Sequence, residues 1–266
     1  MSGFLGLTGR VSIVTGAARG IGLATAIELA GCGSDVALLD LDFAETAARA
    51  TEVAREHNVR AKAYALDVRD VANVAATIDR LAAEFGAVDH VVNNAGIQHV
   101  APIAEFPTER WDAVIATNLN AVFHVTRAAW PHLVARKRGR IVNIASVHGL
   151  VASEFKPAYV AAKHGVVGLT RAAALEGAAH GITVNAVCPG AVLTELVRNQ
   201  AKSLVAAYGG GITEDEALAR AFLTAMPTNT FIEPREVAQL CAYLCSDAAR
   251  SITGAPIAID GGWSAH

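Results

Sequence analysis

The chain has 266 residues, of which 53% are hydrophobic and 18% are charged, and its formal net charge is -3. This composition predicts a large folded core and excludes intrinsic disorder, which requires low hydrophobicity and high charge. Lysine and arginine form no cluster of the size that nucleic-acid binding requires, and no uncharged run is apolar enough to span a membrane.

Short β-rich runs alternate with longer alanine-rich stretches along the chain. Uninterrupted apolar strands that alternate with helices are typical of a parallel sheet covered on both faces. Right-handed crossovers then give a doubly wound, Rossmann-like, mostly parallel sheet of about seven strands in one α/β domain. The predicted strands cover 10–16, 35–40, 61–68, 88–96, 139–146, 182–190 and 256–260, and the predicted helices cover 20–32, 43–57, 70–85, 108–136, 157–179 and 233–246.

One region interrupts this alternation. Residues 195–232 insert charged helical stretches around the sequence YGGGITEDE, between the sixth strand and the next helix. Insertions at the carboxyl end of a strand are common positions for ligand-covering lids. We therefore predict that this insertion is a substrate lid, and the alternative is a helical hairpin on the surface.

The sequence TGAARGIG follows the first strand and opens the first helix, which places Gly16, Gly20 and Gly22 at the turn. Glycines at such a turn let a pyrophosphate approach the backbone N–H groups at the positive end of the helix. The spacing is G-x-x-x-G-x-G rather than G-x-G-x-x-G. The strand–turn–helix context predicts that this loop, including Arg19 and Ile21, binds a dinucleotide.

The second predicted strand ends at Asp40, 24 positions after Gly16. A carboxylate at this point accepts hydrogen bonds from the ribose hydroxyls of the cofactor and repels a 2′-phosphate. Arg19 favours the opposite interpretation, because an arginine in the glycine loop can hold that phosphate. A carboxylate beside a phosphate carries a direct like-charge penalty, so we predict NAD as the cofactor.

Several motifs occur here in the order that they have in the short-chain dehydrogenase/reductase family. They include the glycine loop, NNAG at 93–96, YVAAK at 159–163 and PG at 189–190. The sequence resembles this family over nearly its whole length. The resemblance implies a catalytic tetrad of Asn118, Ser146, Tyr159 and Lys163, and further cofactor contacts by Asp67, Val68, Asn94, Ala95, Gly96, Tyr159, Lys163, Pro189, Gly190 and Thr194.

The chemistry of an alcohol dehydrogenase requires a general base. Tyr159 and Lys163 are four residues apart and therefore lie on one helical face. Tyrosine titrates near pH ~10, and we expect the nearby ammonium and the positive nicotinamide ring to lower that pKa. Ser146 can hydrogen-bond the reacting oxygen, and Asn118 is expected to support a water that relays protons through Lys163.

Within the family, NNAGIQH, SVHGLVAS, LVRNQ and the terminal DGGW resemble the bacterial dehydrogenases that act on D-3-hydroxybutyrate. The resemblance implies that one cation and several neutral donors hold a substrate carboxylate, and this set suits a small anionic hydroxy acid. Ala191 departs from the resemblance, because a bulky aromatic residue is expected there. The substrate-binding residues implied are Gln98, Ser146, His148, Lys156, Tyr159 and Gln200, and Trp263 is a candidate to close the far side of the pocket.

The favoured function is therefore NAD-dependent interconversion of a short (R)-3-hydroxy acid and its 3-oxo acid. A carbonyl or 3-oxoacyl reductase with another substrate is the nearest alternative, and an inactive NAD-binding sensor is a distant one. The helices predicted over 108–136 and 157–179 carry apolar surface beyond what the sheet covers, and the family resemblance implies a homotetramer, with a dimer as the alternative.

The remaining features predict the surroundings of the protein. The first ten residues lack the pattern of a signal peptide, so a cytoplasmic location is expected. The four cysteines show no spacing of a disulfide framework or a zinc site, and the histidines share no spacing with carboxylates. We therefore expect free thiols and no bound metal.

Overall fold

The computed structural model describes residues 5–199 and 201–265. Its seven strands form one sheet in the order β3-β2-β1-β4-β5-β6-β7, and every strand pairing is parallel, as the sequence predicted. The strands are β1 (Val11–Thr15), β2 (Asp35–Asp40), β3 (Ala61–Ala65), β4 (His90–Asn93), β5 (Gly139–Ile144), β6 (Ile182–Pro189) and β7 (Pro256–Ile259).

Helices cover both faces of this sheet. They are α1 (Gly20–Gly31), α2 (Phe43–His57), α3 (Val71–Phe85), α4 (Thr108–Ile115), α5 (Ala121–Ala135), α6 (Pro157–Ala178), α7 (Glu195–Arg198), α8 (Ala201–Ala207), α9 (Glu214–Phe222) and α10 (Pro234–Cys245). Among the residues that the structure describes, no helix is both long and apolar enough to cross a lipid bilayer.

The two faces of the sheet belong to two separate cores. Successive side chains of a strand point to opposite faces, so Val14 packs with α1 and α10 whereas Ile13 packs with α3, α5 and α6. Both side chains are fully buried. Strands β1, β4, β5 and β6 are buried along their whole length. This explains why their sequences are nearly continuous apolar runs.

Several predicted elements end earlier than the sequence indicated. The strand predicted over 61–68 ends at Ala65, that over 88–96 at Asn93, and that over 139–146 at Ile144. The residues that follow leave the sheet at its carboxyl edge and form the loops of the candidate site.

The predicted helix over 108–136 is also interrupted. A π-helical turn, Ala116–Asn120, separates α4 from α5. Within this turn, Asn118 uses its side-chain amide to bind both backbone groups of Ile97, at 2.8 Å each. These two hydrogen bonds join the irregular turn to the loop after β4. The hydrophobic periodicity of the sequence could not have predicted them.

Candidate active site

The strand order reverses between β1 and β4, and ligands of doubly wound sheets bind in the crevice outside the carboxyl ends at such a point. A cavity of about 690 Å³ opens there. Most of the residues predicted from the sequence line it, namely Gly16, Arg19, Gly20, Ile21, Asp40, Asp67, Val68, Asn94, Ala95, Gly96, Gln98, Ser146, His148, Lys156, Tyr159, Lys163, Pro189, Gly190, Thr194 and Trp263.

Two of the predicted residues that the structure describes are not in this lining. Gly22 lies behind the glycine loop, where a Cβ atom would come 2.1 Å from the carbonyl oxygen of Gly16. Asn118 is fully buried, and Ile97 engages its amide. Gln200 lies outside the described residues.

The glycine loop is held tightly against the end of β4. Gly16 has φ 65°, and a Cβ there would come 2.9 Å from the Cα of Ala95. The side-chain amide of Asn94 donates to the backbone carbonyls of Thr15 and Gly16 at 3.0 Å each. Only glycine combines this left-handed backbone with such close packing.

The amino-terminal end of α1 fits a pyrophosphate group. Arg19 is the N-cap residue of α1 and its side chain makes no capping hydrogen bond, and the first turn holds no acidic side chain. The first backbone N–H groups of a helix have no partner within it, and they carry the positive end of the helix dipole. Gly20 and Ile21 therefore present N–H groups to the cavity that they line.

The end of the cavity at β2 is rich in carboxylates. Asp40 accepts the backbone N–H of Ala18 at 3.0 Å, which ties the end of β2 to the glycine loop. Arg19 donates to Asp42 at 3.2 Å, and its other terminal nitrogen lies 3.9 Å from Glu195 at the start of α7. The guanidinium that could hold a 2′-phosphate is thus already paired with one carboxylate and faces a second.

Asp67 lies at the same end of the cavity and forms an ion pair with Arg69. Arg69 donates to Asp67 through Nε at 2.9 Å, and this contact lowers the pKa of the Asp67 carboxyl. The carboxylate therefore stays charged and fixed in orientation next to the loop after β3.

Three of the four predicted catalytic side chains, those of Ser146, Tyr159 and Lys163, meet where β5 ends and α6 begins. Ser146 accepts the backbone N–H of His148 at 3.1 Å, and its side chain is close enough to the Tyr159 hydroxyl to favour a lower pKa of that group. The Nζ atom of Lys163 lies 5.5 Å from the centre of the Tyr159 ring and donates to the Ile144 carbonyl at 2.7 Å. Burial lowers the pKa of Lys163 to about 8.

Burial is the largest influence of the protein on the pKa of Tyr159. It raises this pKa, and the nearby Ser146 hydroxyl only partly opposes the effect. The Lys163 ammonium is directed to the Ile144 carbonyl rather than to the phenol oxygen. A one-turn spacing in sequence places the two residues on one face but does not fix which atom the ammonium contacts.

A second group of polar side chains surrounds the phenol on the substrate side. His148 is 5% exposed, and its ring packs edge-on against Tyr159 and Trp263, with ring centres 6.2 Å and 5.3 Å apart. Burial, followed by the charge of Lys156, lowers the pKa of His148 to about 4. Burial also lowers the pKa of Lys156. Gln98 completes this lining, so one cation and neutral polar groups face the same space.

Sequence reasoning missed several residues of the lining. Asp42 lies two residues after the end of β2 and caps α2 by accepting the N–H of Glu45. An aspartate just before a predicted helix was the sequence signal that could have identified it. Phe222 and Val197 reach the cavity from α9 and α7 of the insertion, and no local pattern indicates that contact. Within the described residues, no cluster of three histidine, cysteine or acidic side chains could hold a metal ion.

Comparisons with known proteins agree with this geometry. Residues 10–204 match the family model described as short chain dehydrogenase. The chain is 44% identical over 260 residues to the D-beta-hydroxybutyrate dehydrogenase of Cupriavidus necator, covering 98% of this chain and 100% of that protein. It is 39% identical over 253 residues to the acetoacetyl-CoA reductase of Rhizobium meliloti, covering 95% and 98%.

The fold has an equally extensive match among solved structures. That of gox2181 has a TM-score of 0.90 with this chain at 32% sequence identity, and the match covers 98% of each chain. The chain belongs to the short-chain dehydrogenase/reductase family, and it is an oxidoreductase of that family.

Proposed function

We propose that this oxidoreductase uses NAD to interconvert a short (R)-3-hydroxy acid, preferentially D-3-hydroxybutyrate, and its 3-oxo acid, acetoacetate. The observation that carries the proposal is the position of Lys156 and His148 beside Tyr159 in one cavity. A carboxylate held by Lys156 keeps the carbon skeleton of a small acid next to the base. The similarity to a D-beta-hydroxybutyrate dehydrogenase supports the same substrate.

The proton chemistry is assigned to the side chains at the end of β5. Tyr159 accepts the proton of the substrate hydroxyl, and Ser146 donates a hydrogen bond to the same oxygen and fixes its position. The bound cofactor supplies the hydride acceptor. Lys163 stabilises the phenolate electrostatically, and its lowered pKa lets it exchange protons near neutral pH.

Asn118 is proposed to act through its backbone. Its side chain is committed to Ile97, and a π-helical turn leaves carbonyl groups without the usual partner four residues later. A water held at the Asn118 turn would continue the proton path from Lys163 towards solvent. The predicted support of a relay water by Asn118 is thus assigned to its main chain.

NAD rather than NADP is proposed from the charge around the ribose end. Asp40 and Asp42 lie there together, and Glu195 faces the same guanidinium as Asp42. A 2′-phosphate would have to displace an existing ion pair and approach two carboxylates. Such like-charge contacts disfavour binding.

The insertion is proposed to act as the substrate lid. Its two ends lie next to each other, since Leu193 donates to Ile232 at 3.0 Å and Ile232 donates to Ala191 at 2.9 Å. Phe222 extends from α9 into the cavity lining. Gln200 remains a candidate contact to the substrate carboxylate.

A reductase for a larger 3-oxoacyl substrate is the second candidate. Ala191 lines the cavity with only a methyl group, so the wall beside the substrate chain is open where an aromatic ring was expected. The similarity to an acetoacetyl-CoA reductase supports this alternative.

A panel of 3-hydroxy acids of increasing length, with the matching uncharged alcohols and acyl thioesters, tests these candidates. Each substrate is assayed for kcat/KM with NAD and with NADP. The proposal requires that the four-carbon acid with NAD gives the highest value. A preference for thioesters with NADP would instead establish the reductase alternative.

A homotetramer built on α4, α5 and α6 is also proposed. Trp111, Phe123 and Leu175 expose 38%, 47% and 83% of their surface on these helices, and apolar surface of this size favours association. Light scattering of the wild type should give four times the mass of one chain. Phe123→Glu combined with Leu175→Glu should reduce that mass, and an unchanged mass would contradict this interface.

A further inference from the structure

The turn that precedes α6 holds an aromatic residue in an unfavourable backbone conformation. Phe155 has φ 62°, in the left-handed region that favours glycine. Asparagine tolerates this region, but a bulky side chain rarely adopts it, because Cβ crowds the backbone. Among the residues that the structure describes, the other non-glycine positions with positive φ are Asn58, Lys137 and Asn229.

Burial of the ring does not account for this conformation. Phe155 is 52% exposed, so its side chain gains little from packing against the core. Strained backbone persists where the surrounding structure fixes it, and it is concentrated at active sites and ligand clamps. The contacts on either side of Phe155 therefore indicate what the turn positions.

The backbone around this turn is fixed on both sides. The carbonyl of Phe155 accepts the N–H of Ala101 at 2.9 Å, which joins the turn to the loop after β4. Pro157 lies in the first turn of α6, and a proline disfavours the helical region for the residue before it. Lys156 accordingly has φ -129° and ψ 41° and is the N-cap residue of α6. Its backbone is thus determined by a hydrogen-bonded turn before it and a proline after it.

This backbone carries Lys156 into the candidate active site. Its side chain lines the cavity together with Gln98, which lies on the same loop as Ala101. Lys156 is also close enough to His148 for its charge to lower the pKa of that imidazole. A change of φ at Phe155 would reorient the chain that follows it, and Lys156 is the first side chain to be displaced.

We propose that Phe155 is a positioning residue for substrate selection, whose left-handed backbone holds the Lys156 ammonium where the substrate carboxylate binds. This inference rests on the proposed function, in which Lys156 binds that carboxylate. Phe155 lies outside the described lining of the cavity, so it acts through Lys156 and not by contact with the substrate. It should therefore affect acids and leave neutral alcohols almost unchanged.

Two substitutions at position 155 separate the backbone from the ring. Glycine adopts the left-handed region freely, whereas the β-branched side chain of valine strongly disfavours it. Phe155→Val should raise the KM for 3-hydroxybutyrate at least about tenfold and change kcat/KM for a neutral secondary alcohol less than about threefold. Phe155→Gly should keep the KM for the acid within about twofold of the wild type. A tenfold rise in Phe155→Gly would overturn the proposal, and this result remains decisive if Phe155→Val does not fold.

Lys137→Val is the matched control for backbone strain. Lys137 has φ 50° and is exposed between α5 and β5, at the edge of the sheet opposite the cavity. Both valine variants should lower the melting temperature, because both place a β-branched residue in the left-handed region. Only Phe155→Val should change the KM for the acid. An equal change in both variants would mean general destabilisation and would overturn the proposal.

A double-mutant cycle connects the effect to Lys156. In a Lys156→Met background, Phe155→Val should cause no further loss of kcat/KM for the acid, and an equal loss in both backgrounds would overturn the positioning role. If Phe155→Val has no effect while Lys156→Met keeps its loss for the acid alone, the positioning role is wrong and the proposed function stands. If Lys156→Met causes no such loss, the proposed function fails and the positioning role fails with it.

Discussion

Replacing Lys156 with methionine removes the cation of the proposed carboxylate site and keeps an unbranched side chain of similar length. Lys156 is partly buried. Burial is the largest cause of the low pKa of His148 and remains when Lys156 is replaced, so the imidazole stays neutral and cannot supply the missing charge. The substrate carboxylate would therefore enter the cavity without a counter-ion.

The size of the effect follows from the surroundings of Lys156. Removing one partner of a desolvated charge pair lowers the free energy of binding by about 2–3 kcal/mol at the lower end of the usual range. We use the lower end because Lys156 is only partly buried. This corresponds to a loss of about 30- to 150-fold in kcat/KM for 3-hydroxybutyrate. A secondary alcohol of the same carbon count without a carboxylate should lose less than about threefold.

Steady-state assays of both substrates measure this difference. Lys62→Met is the matched control, because Lys62 is exposed on β3 and pairs with Glu84 away from the cavity. Equal losses for the acid and the neutral alcohol would refute carboxylate recognition by Lys156.

The pH dependence provides a second measurement on the same residue. A lysine is charged below its pKa, and burial lowers that of Lys156. The KM for the acid should therefore rise with pH below the range where an exposed lysine titrates, and Lys156→Arg should move this rise to higher pH. The KM for the neutral alcohol should stay level over the same interval.

Three further results are expected. Tyr159→Phe should lower turnover at least about 10³-fold while NADH fluorescence still reports binding, and substantial residual turnover would contradict the general-base role. Asp40→Ala should narrow the preference for NAD over NADP by at least about tenfold; an unchanged ratio of kcat/KM would mean that the ribose site lies elsewhere. The pKa of His90 falls from 6.5 to about 3 on folding, so its neutral form adds stability that is complete above pH 6.5 and is lost as the pH falls towards 3. The free energy of unfolding, measured with urea, should therefore fall by about 1.4 kcal/mol more per pH unit in the wild type than in His90→Asn between pH 6 and 4. Parallel curves for the two proteins would contradict this reasoning.

The fold was predictable from sequence because its determinants are local. Each of the strands at the centre of the sheet is one uninterrupted apolar run, and Gly16 and Gly20 mark the turn where their positive φ angles are required. These features specify a parallel sheet and its ligand-binding edge without any knowledge of distant contacts.

Other features of the site were not predictable because they depend on which atoms meet across the fold. The partner of the Lys163 ammonium is the Ile144 carbonyl, 19 positions earlier in the chain, and this contact leaves the Tyr159 pKa to be governed by burial. Arg19 pairs with Asp42 across 23 positions. Phe222 reaches the cavity only because the insertion folds back over it.

The two ends of the insertion are adjacent, since Val192 and Ile232 form an isolated parallel bridge. The segment between Val192 and Ile232 can therefore be replaced by another of similar end-to-end distance without altering the register of any strand. Within the proposed function, the carboxylate contacts of Lys156 and His148 lie outside this stretch, whereas Phe222 lines the cavity from within it. Grafting the equivalent stretch of a relative onto this junction should therefore change the preference for substrate length while carboxylate recognition and proton transfer stay intact.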